Sequence, residues 1–165
     1  MKKVKRILAL SLSAALLLAL LCACGGPAAD VTIDINALWD QIAALGEMSE
    51  MPLTDTPEEF LSGDAFGIDT ADLEAYISKT PMMNTMATEF FIAKVKDGKM
   101  DTVKAALQAR QANLDNQWST YLPEQYEMVK NYKLTVNGSY IFFAISEYAE
   151  QAEKLFNDAI ANAKS

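Results

Sequence analysis

The chain has 165 residues, with 22 acidic residues against 14 basic ones, two cysteines and no histidine. This length suits one domain of ordinary size, and a net charge of -8 argues against nucleic acid as a partner, because phosphate binding needs a basic surface. The absence of histidine excludes His-dependent catalytic triads and imidazole zinc sites.

The first residues have the pattern of a secretory signal peptide. Basic residues occupy four of the first six positions, and a largely apolar run follows over residues 7–23. The run lies at the lower end of the roughly 17–25 residues that a bilayer-spanning helix needs. We therefore expect residues 1–23 to be a signal peptide, with an uncleaved single-span anchor as the alternative. Both interpretations place the rest of the chain outside the cytoplasm.

The apolar run ends in a short cysteine motif. Leu21-Cys22-Ala23-Cys24 resembles the lipobox of bacterial lipoproteins, with small Ala23 before the acceptor cysteine. The resemblance implies cleavage before Cys24 and a diacylglycerol thioether on its sulfur, and Cys22 fits poorly because bulky Leu21 would precede the cut. Residues 24–30 would form a lipidated tether at the extracytoplasmic face of the cell membrane. No free thiol would then remain for catalysis or a disulfide.

The acidic residues are concentrated in the first part of the exported chain. Residues 30–80 contain 12 acidic residues and one basic residue, Lys79, whereas residues 81–165 contain 10 acidic and 9 basic residues. We interpret the acidic segment as a solvated surface that keeps the protein soluble. A face for cations or for a basic partner is the alternative.

The first elements are a helix and two strands. Helical spacing of apolar residues from Ile35 to Leu45, with Asp34 or Asn36 as the cap, predicts a helix that ends at Gly46. Residues 47–67 are rich in proline, glycine and acidic residues, which predicts a long loop with at most one helical turn at 57–61. Alternation then predicts a strand over 73–77 and a second strand over 86–96.

A long helix follows the second strand. Its apolar stripe extends over residues 101–121, and a short helical segment begins at Pro123. The predicted stripe comprises Val103, Leu107, Leu114, Trp118 and Tyr121.

The last part of the chain predicts a second hairpin and a helix. Asn137-Gly138 between alternating apolar runs is a strong type I′ turn signal, and it pairs Leu134 with Ile141. A helix is expected over 147–163. The element order α-β-β-α-β-β-α predicts an α+β fold: a four-stranded antiparallel sheet from two hairpins, with helices packed on it, in a single domain over 31–165.

Three stretches resemble a known family. They are Tyr76 with the strand that ends at Gly98, then Ala109-Arg110-Gln111 with the segment 121–125, then the segment 137–141. In their order and spacing they resemble the domain-of-unknown-function 4358 family of lipoproteins, common in Firmicutes. The resemblance implies an exported, membrane-tethered domain and carries no catalytic residue over to this chain.

Two charged residues interrupt apolar faces. Glu89 is the only charge on the strand face formed with Ala87, Phe91 and Val95, and Arg110 falls in the middle of the stripe of the long helix. An unpaired buried charge is costly, so we expect Glu89 and Arg110 to form a buried ion pair. The alternative is that one of them lines a ligand cleft.

The opposite face of the sheet is also apolar. Phe90, Ile92, Tyr140 and Phe142 lie on this face. We expect the N-terminal helix, with Trp39, to cover them. An exposed apolar patch that binds a partner is the alternative.

Two groups of residues were weighed as metal ligands. The acidic group lacks the spacing of an EF-hand, and methionines more often fill gaps in a core, so we assign no metal-binding residues and no cofactor. The acidic group, for calcium, comprises Asp64, Asp69, Asp72 and Glu74. The methionine group, for Cu(I), comprises Met82, Met83 and Met86, with Met48 and Met51 as further candidates.

The sequence predicts localisation better than activity. No catalytic motif is present, so we expect a non-enzymatic, membrane-anchored binding or accessory domain at the cell envelope. Its partner would be the membrane, through the lipid on Cys24, and an envelope protein or small ligand. A hydrolase that acts on cell-wall polymers through two carboxylates is the alternative, as is a metal-binding envelope protein.

Overall fold

The computed structural model describes residues 31–164, and Val31–Ser165 form one compact unit. The signal peptide, Cys24 and the tether over 24–30 lie outside the described residues. Within residues 31–164, no helix combines the length and hydropathy required to cross a bilayer.

The helices are α1 (Ile35–Ala43), α2 (Glu58–Ser62), α3 (Met100–Trp118), α4 (Pro123–Lys130) and α5 (Ala149–Ala163), with short 3-10 turns at Met48–Glu50 and Thr70–Asp72. The strands are β1 (Leu53–Asp55), β2 (Leu73–Pro81), β3 (Glu89–Val95), β4 (Lys133–Asn137) and β5 (Tyr140–Ile145).

The strands form one antiparallel sheet in the order β1-β2-β3-β5-β4. The predicted α+β class and antiparallel sheet are confirmed, but the sheet has five strands and the predicted number of four was wrong. The additional strand, β1, lies within the segment that was predicted to be a loop. It is only three residues long, too short to show alternation, and it forms by pairing with the end of β2, where Thr54 lies opposite Thr80.

Helices cover both faces of the sheet. α3 and α4 pack on one face, and α1 and α5 pack on the other. The central strands β3 and β5 are therefore buried along nearly their whole length, with Lys94 the half-buried exception. Consecutive side chains of β3 enter different cores, because side chains alternate between the faces of a strand: Phe91 lies in the α3 core and Phe90 in the α1–α5 core.

The α1–α5 face is covered, as the sequence predicted. Trp39 of α1 meets Phe90 edge to face, with ring centroids 5.5 Å apart. Phe142 stacks on Phe156 of α5 at 5.3 Å, so α5 shares the covering role with α1. Tyr140 is buried, and its hydroxyl accepts a hydrogen bond from the backbone N–H of Ile33 at 3.1 Å. Among the described residues, this face therefore leaves no apolar patch of Phe90, Ile92, Tyr140 and Phe142 for a partner.

The β4–β5 hairpin differs from the prediction in its register. Asn137 pairs with Tyr140 and Leu134 with Phe143, so the two central turn residues are Gly138 and Ser139. Only Gly138 has a positive φ, 62°, as the first central position of a type II′ turn requires. The register is displaced by two residues, which leaves every side chain on its predicted face.

The long helix α3 is shorter than predicted. It ends at Trp118, and Tyr121 is half exposed instead of belonging to the buried stripe. Leu122 adopts a positive φ of 41° before Pro123, the first residue of α4. The residue before proline is disfavoured in the helical region, so α3 cannot continue through Leu122 into α4.

The turn after α1 allows a matched test of glycine. Gly46 and Gly67 both have positive φ, 48° and 68°. A Cβ on Gly46 would overlap the Tyr148 hydroxyl oxygen, which accepts the Glu47 backbone N–H, whereas a Cβ on Gly67 would have no heavy atom within 4 Å. We expect G67A to lower the free energy of unfolding by about 1 kcal/mol, and G46A by roughly another 1 kcal/mol because the ring must move and its hydrogen bond is lost. Urea denaturation measures both, and equal losses would contradict the contact.

Candidate functional site

A cleft of about 500 Å³ opens beside the ends of β2 and β3. The β2–β3 connection forms one wall and α3 forms the other, while α2 contributes Phe60 at the margin. This volume lies within the range of roughly 300–1,000 Å³ that is typical of small-molecule sites. Among residues 31–164, Glu89 and Arg110 are the only charged residues that line the cleft.

The structure brings Glu89 and Arg110 together. Arg110 Nε donates to Glu89 Oε2 at 3.0 Å, and Arg110 Nη2 donates to Glu89 Oε1. Only 4% of the Glu89 side chain and 11% of the Arg110 side chain are exposed. The pair joins the first residue of β3 to the middle of α3, and both residues also line the cleft. The two residues therefore form an ion pair and also line the cleft.

Two aromatic rings contact the Arg110 side chain. The guanidinium carbon lies 4.8 Å from the centroid of the Phe66 ring and 5.5 Å from that of Phe60, and the two rings meet edge to face. Such cation–π contacts favour one orientation of the planar guanidinium. Phe60 belongs to α2 and Phe66 to the loop after it, so this short segment also helps to fix Arg110.

Burial dominates the electrostatics of Glu89. Loss of solvent raises the pKa of the Glu89 carboxyl above its usual range, while the hydrogen bond and the charge of Arg110 act in the opposite direction. Both carboxylate oxygens already accept hydrogen bonds from Arg110. The hydrogen bonds from Arg110 therefore use both carboxylate oxygens of Glu89.

The lining of the cleft includes one buried hydrogen-bond donor without an acceptor from the described residues. Glu89 accepts two of the five guanidinium N–H groups of Arg110. Trp118 also lines the cleft and is 2% exposed, and its Nε1–H has no partner in the same part of the chain. Buried polar groups are nearly always paired, so an unpaired one calls for an explanation.

The β2–β3 connection forms an exposed apolar rim and is anchored at both ends. Met82 is 70% exposed and Met83 is 48% exposed. The Met82 backbone N–H donates to the carbonyl of Pro52 at 2.9 Å, and the Ala87 backbone N–H donates to Gln125 Oε1 at 2.8 Å. The rim is therefore held by the residue before β1 and by α4.

Buried hydroxyl groups lie next to the cleft. Ser78 Oγ donates to Thr56 Oγ1 at 2.8 Å, and Thr56 Oγ1 donates to Thr80 Oγ1 at 3.3 Å. All three side chains are buried, and Thr80 also lines the cleft. The chain of hydrogen bonds joins the residue after β1 to β2 and satisfies polar groups that would otherwise be costly to bury.

The acidic residues weighed for calcium are not gathered into a site. Asp69 caps a 3-10 turn by accepting the Ala71 N–H at 2.8 Å, Asp72 pairs with Lys99 at 2.8 Å, and Glu74 pairs with Lys94 at 2.9 Å. Asp64 is exposed. Within the described part of the chain, no group of three or more acidic, cysteine or histidine side chains is placed to hold a metal ion.

The methionines divide between two regions of the molecule. Met82, Met83 and Met86 all line the cleft. Met48 is buried in the α1–α5 core, and Met51 packs against the same core. Met48 and Met51, the further candidates, therefore pack with the opposite face of the sheet and do not line the cleft with the other three.

Sequence reasoning missed two contributions to the site. The segment that contains Phe60 and Phe66 was predicted to be an acidic loop with at most one helical turn. Two aromatic residues in such a segment indicate that it packs against the rest of the domain. Trp118 was correctly placed in the buried stripe, but its N–H was not recognised as a donor in need of an acceptor. Only the spatial meeting of α2, α3 and the β2–β3 connection reveals the cleft.

The protein is an α+β domain. Its cleft has the volume of a small-molecule site and is lined by a pair of opposite charges that neutralise each other. The family model described as "Domain of unknown function (DUF4358)" matches residues 53–146, and the chain belongs to this family. The matched residues run from β1 to the end of β5 and include Glu89, Arg110 and Trp118. Comparison with curated proteins and with solved structures finds no match.

The Glu89–Arg110 pair supports a double-mutant test. We expect E89Q and R110M each to lower the free energy of unfolding by about 3–5 kcal/mol, because each leaves the other group buried without its partner. The double variant E89L/R110M should recover most of this loss, since two apolar side chains replace both charges. Urea denaturation with far-UV circular dichroism gives the three values.

The exposed pair of Lys79 and Asp55 provides the control. Their charged atoms lie 2.6 Å apart, but the Asp55 side chain is 85% exposed. D55N should therefore change the free energy of unfolding by less than about 1 kcal/mol. Losses of similar size for E89Q and D55N, or a double variant as unstable as the sum of the two single ones, would contradict a coupled buried pair.

Proposed function

We propose that the protein is a lipid-anchored, extracytoplasmic domain that binds a ligand without catalysis in the cleft beside Glu89 and Arg110. One observation carries the binding proposal: a cleft of ligand size is lined by the buried Glu89–Arg110 pair and by the exposed apolar side chains of Met82 and Met83. A ligand in the cleft would contact both the pair and this apolar rim.

The cleft favours binding over carboxylate-dependent hydrolysis. Glycoside hydrolysis requires two carboxyl groups, about 5–9.5 Å apart, with an acid and a nucleophile or base between them. In the described part of the chain, Glu89 is the only carboxylate that lines this cleft, and Arg110 donates a hydrogen bond to each of its oxygens. The second acid of such a mechanism is missing from the lining, which supports a binding role.

The proposed location rests on the sequence. The basic start, the apolar run and Leu21-Cys22-Ala23-Cys24 support export, cleavage before Cys24 and acylation of its sulfur. Two acyl chains together provide stable attachment, because each buried methylene contributes about 0.8 kcal/mol. The binding domain would then act at the envelope as an accessory to a membrane-bound or cell-surface process.

Acylation of Cys24 can be tested against its neighbouring cysteine. We expect the full-length protein to incorporate an alkynyl palmitate label in its native host and to sediment with membranes, and C24A to lose the label. C22A is the matched control and should keep it, because Cys22 lies in the segment removed by cleavage. A label retained by C24A, or lost only in C22A, would contradict the assignment.

Occupancy of the cleft can be tested in intact cells. A photoreactive benzoylphenylalanine in place of the exposed Met83 should form a covalent adduct with the ligand, detected as a mass increase. The same residue at the exposed Gln151 of α5, which packs on the opposite face of the sheet, is the control and should form none. The adduct at Met83 should also decrease in the background E89L/R110M, which removes the Arg110 donors. Absence of an adduct at Met83, or equal adducts at both positions, would overturn the binding proposal.

A further inference from the structure

We infer that the three methionines of the β2–β3 connection, Met82, Met83 and Met86, form a binding site for the soft monovalent cation Cu(I). The site lies on the wall of the cleft that this connection forms. The inference goes beyond the proposed function, because it concerns thioether groups and requires no contact of the ion with Glu89 or Arg110. It follows from the separation of these methionines from both cores, from the turn that carries them and from the charges of the cleft.

The methionines of the described residues fall into two groups. Four of them pack in or against one of the two cores, which is the usual role of methionine as a filler of irregular gaps. These four are Met48, Met51, Met100 and Met128. Met82, Met83 and Met86 belong to neither core, and Met82 and Met83 are 70% and 48% exposed. Core packing therefore does not account for the three methionines of the cleft.

A hydrogen-bonded turn brings Met83 and Met86 close together. The Met86 backbone N–H donates to the Met83 carbonyl oxygen at 3.2 Å, which closes a turn of four residues. The first and last Cα atoms of such a turn lie within about 7 Å of each other. Met82 precedes the turn, and its backbone N–H donates to the Pro52 carbonyl oxygen at 2.9 Å. The backbone is thus anchored, while three flexible thioether side chains can converge on one ion.

The donor atoms of the site select the kind of metal. Thioether sulfur is a soft ligand and favours Cu(I), whereas carboxylate and carbonyl oxygens favour hard cations. The chain has no histidine, and both cysteines lie before residue 25. Among residues 31–164, the methionine sulfurs are therefore the only soft ligands, and three of them line this cleft.

The charges of the cleft favour a monovalent cation over a divalent one. Glu89 and Arg110 are paired, so the positive charge of Arg110 is offset where it lines the cleft. A divalent hard cation such as Ca²⁺ needs several oxygen ligands and negative charge to compensate its dehydration. Within the described residues, the cleft offers it one carboxylate, and Arg110 already donates to both oxygens of that group.

Titration with Ag(I) tests the site on the full chain. Ag(I) has the same charge and the same preference for soft ligands as Cu(I), and it needs no reductant. The full-length protein carries C22S and C24S, which remove both thiols, and is titrated in detergent and chloride-free buffer by calorimetry. We expect saturable binding of one Ag(I) per chain and no binding of Ca²⁺ at the same concentrations. Absence of saturable Ag(I) binding, or equal affinity for Ca²⁺, would overturn the inference.

Substitution of the turn methionines tests the assigned ligands. M83L/M86L nearly conserves side-chain volume, so the fold should be retained, which circular dichroism checks. We expect this variant to bind Ag(I) at least about tenfold more weakly, a difference of about 1.4 kcal/mol. M100L/M128L is the matched control, because these two methionines pack against the α3 core, and should leave the affinity unchanged. Equal affinities of the two double variants would overturn the assignment.

Methyl NMR locates the bound ion directly. With carbon-13 in the methionine methyl groups, Ag(I) should shift the resonances of Met82, Met83 and Met86, which single leucine variants assign. The resonances of Met48 and Met128 should stay in place, because these side chains pack in or against the cores. Shifts at Met48 or Met128 with none at the three cleft methionines would contradict the site.

Failure of this inference and failure of the proposed function give different results. If Ag(I) does not bind but photoreactive residue 83 still captures a molecule, the cleft is a binding site and the metal assignment is wrong. If Ag(I) shifts the three cleft methionines and no adduct forms at residue 83, the metal site is supported and the proposed function fails.

Discussion

The buried ion pair of Glu89 and Arg110 is the constraint on which the cleft depends. It connects the central strand β3 to the middle of α3, the longest helix among the described residues, where each charge would be expensive to bury alone. The rings of Phe60 and Phe66 also contact the guanidinium. These contacts fix Arg110, so the wall of the cleft that it lines needs no further ordering.

The two faces of the sheet have different roles. The α1–α5 face is closed by aromatic packing and buries Tyr140 and Phe142 completely, whereas the α3 face carries the ion pair and the cleft. The family match follows the same division, since residues 53–146 contain the whole sheet with α3 and α4, while α1 and α5 lie outside it. The cleft is therefore built from the part of the chain that belongs to the matched domain.

Features with a local sequence signal were predictable, and features created by distant contacts were not. Strand alternation separated Phe90 from Phe91, and two isolated charges on apolar faces indicated the Glu89–Arg110 pair. β1 has three residues and no period of its own, so only its pairing with β2 reveals it. The register of the β4–β5 hairpin was not predictable from the local Asn-Gly signal for a related reason. The Asn137 side chain donates a hydrogen bond to Asn157 of α5, a contact distant in sequence, and Asn137 pairs with Tyr140 instead of lying in the turn.

The most direct measurement is the exchange rate of the Arg110 Nε–H proton. Arg110 is the only arginine after Arg6, so a nitrogen-15 NMR spectrum of a chain produced from residue 24 onward contains a single arginine Nε–H resonance. A hydrogen bond to the buried carboxylate of Glu89 predicts a sharp signal that exchanges slowly with water near neutral pH and that disappears or shifts in E89Q. A signal that exchanges as fast as that of a free arginine would contradict the account.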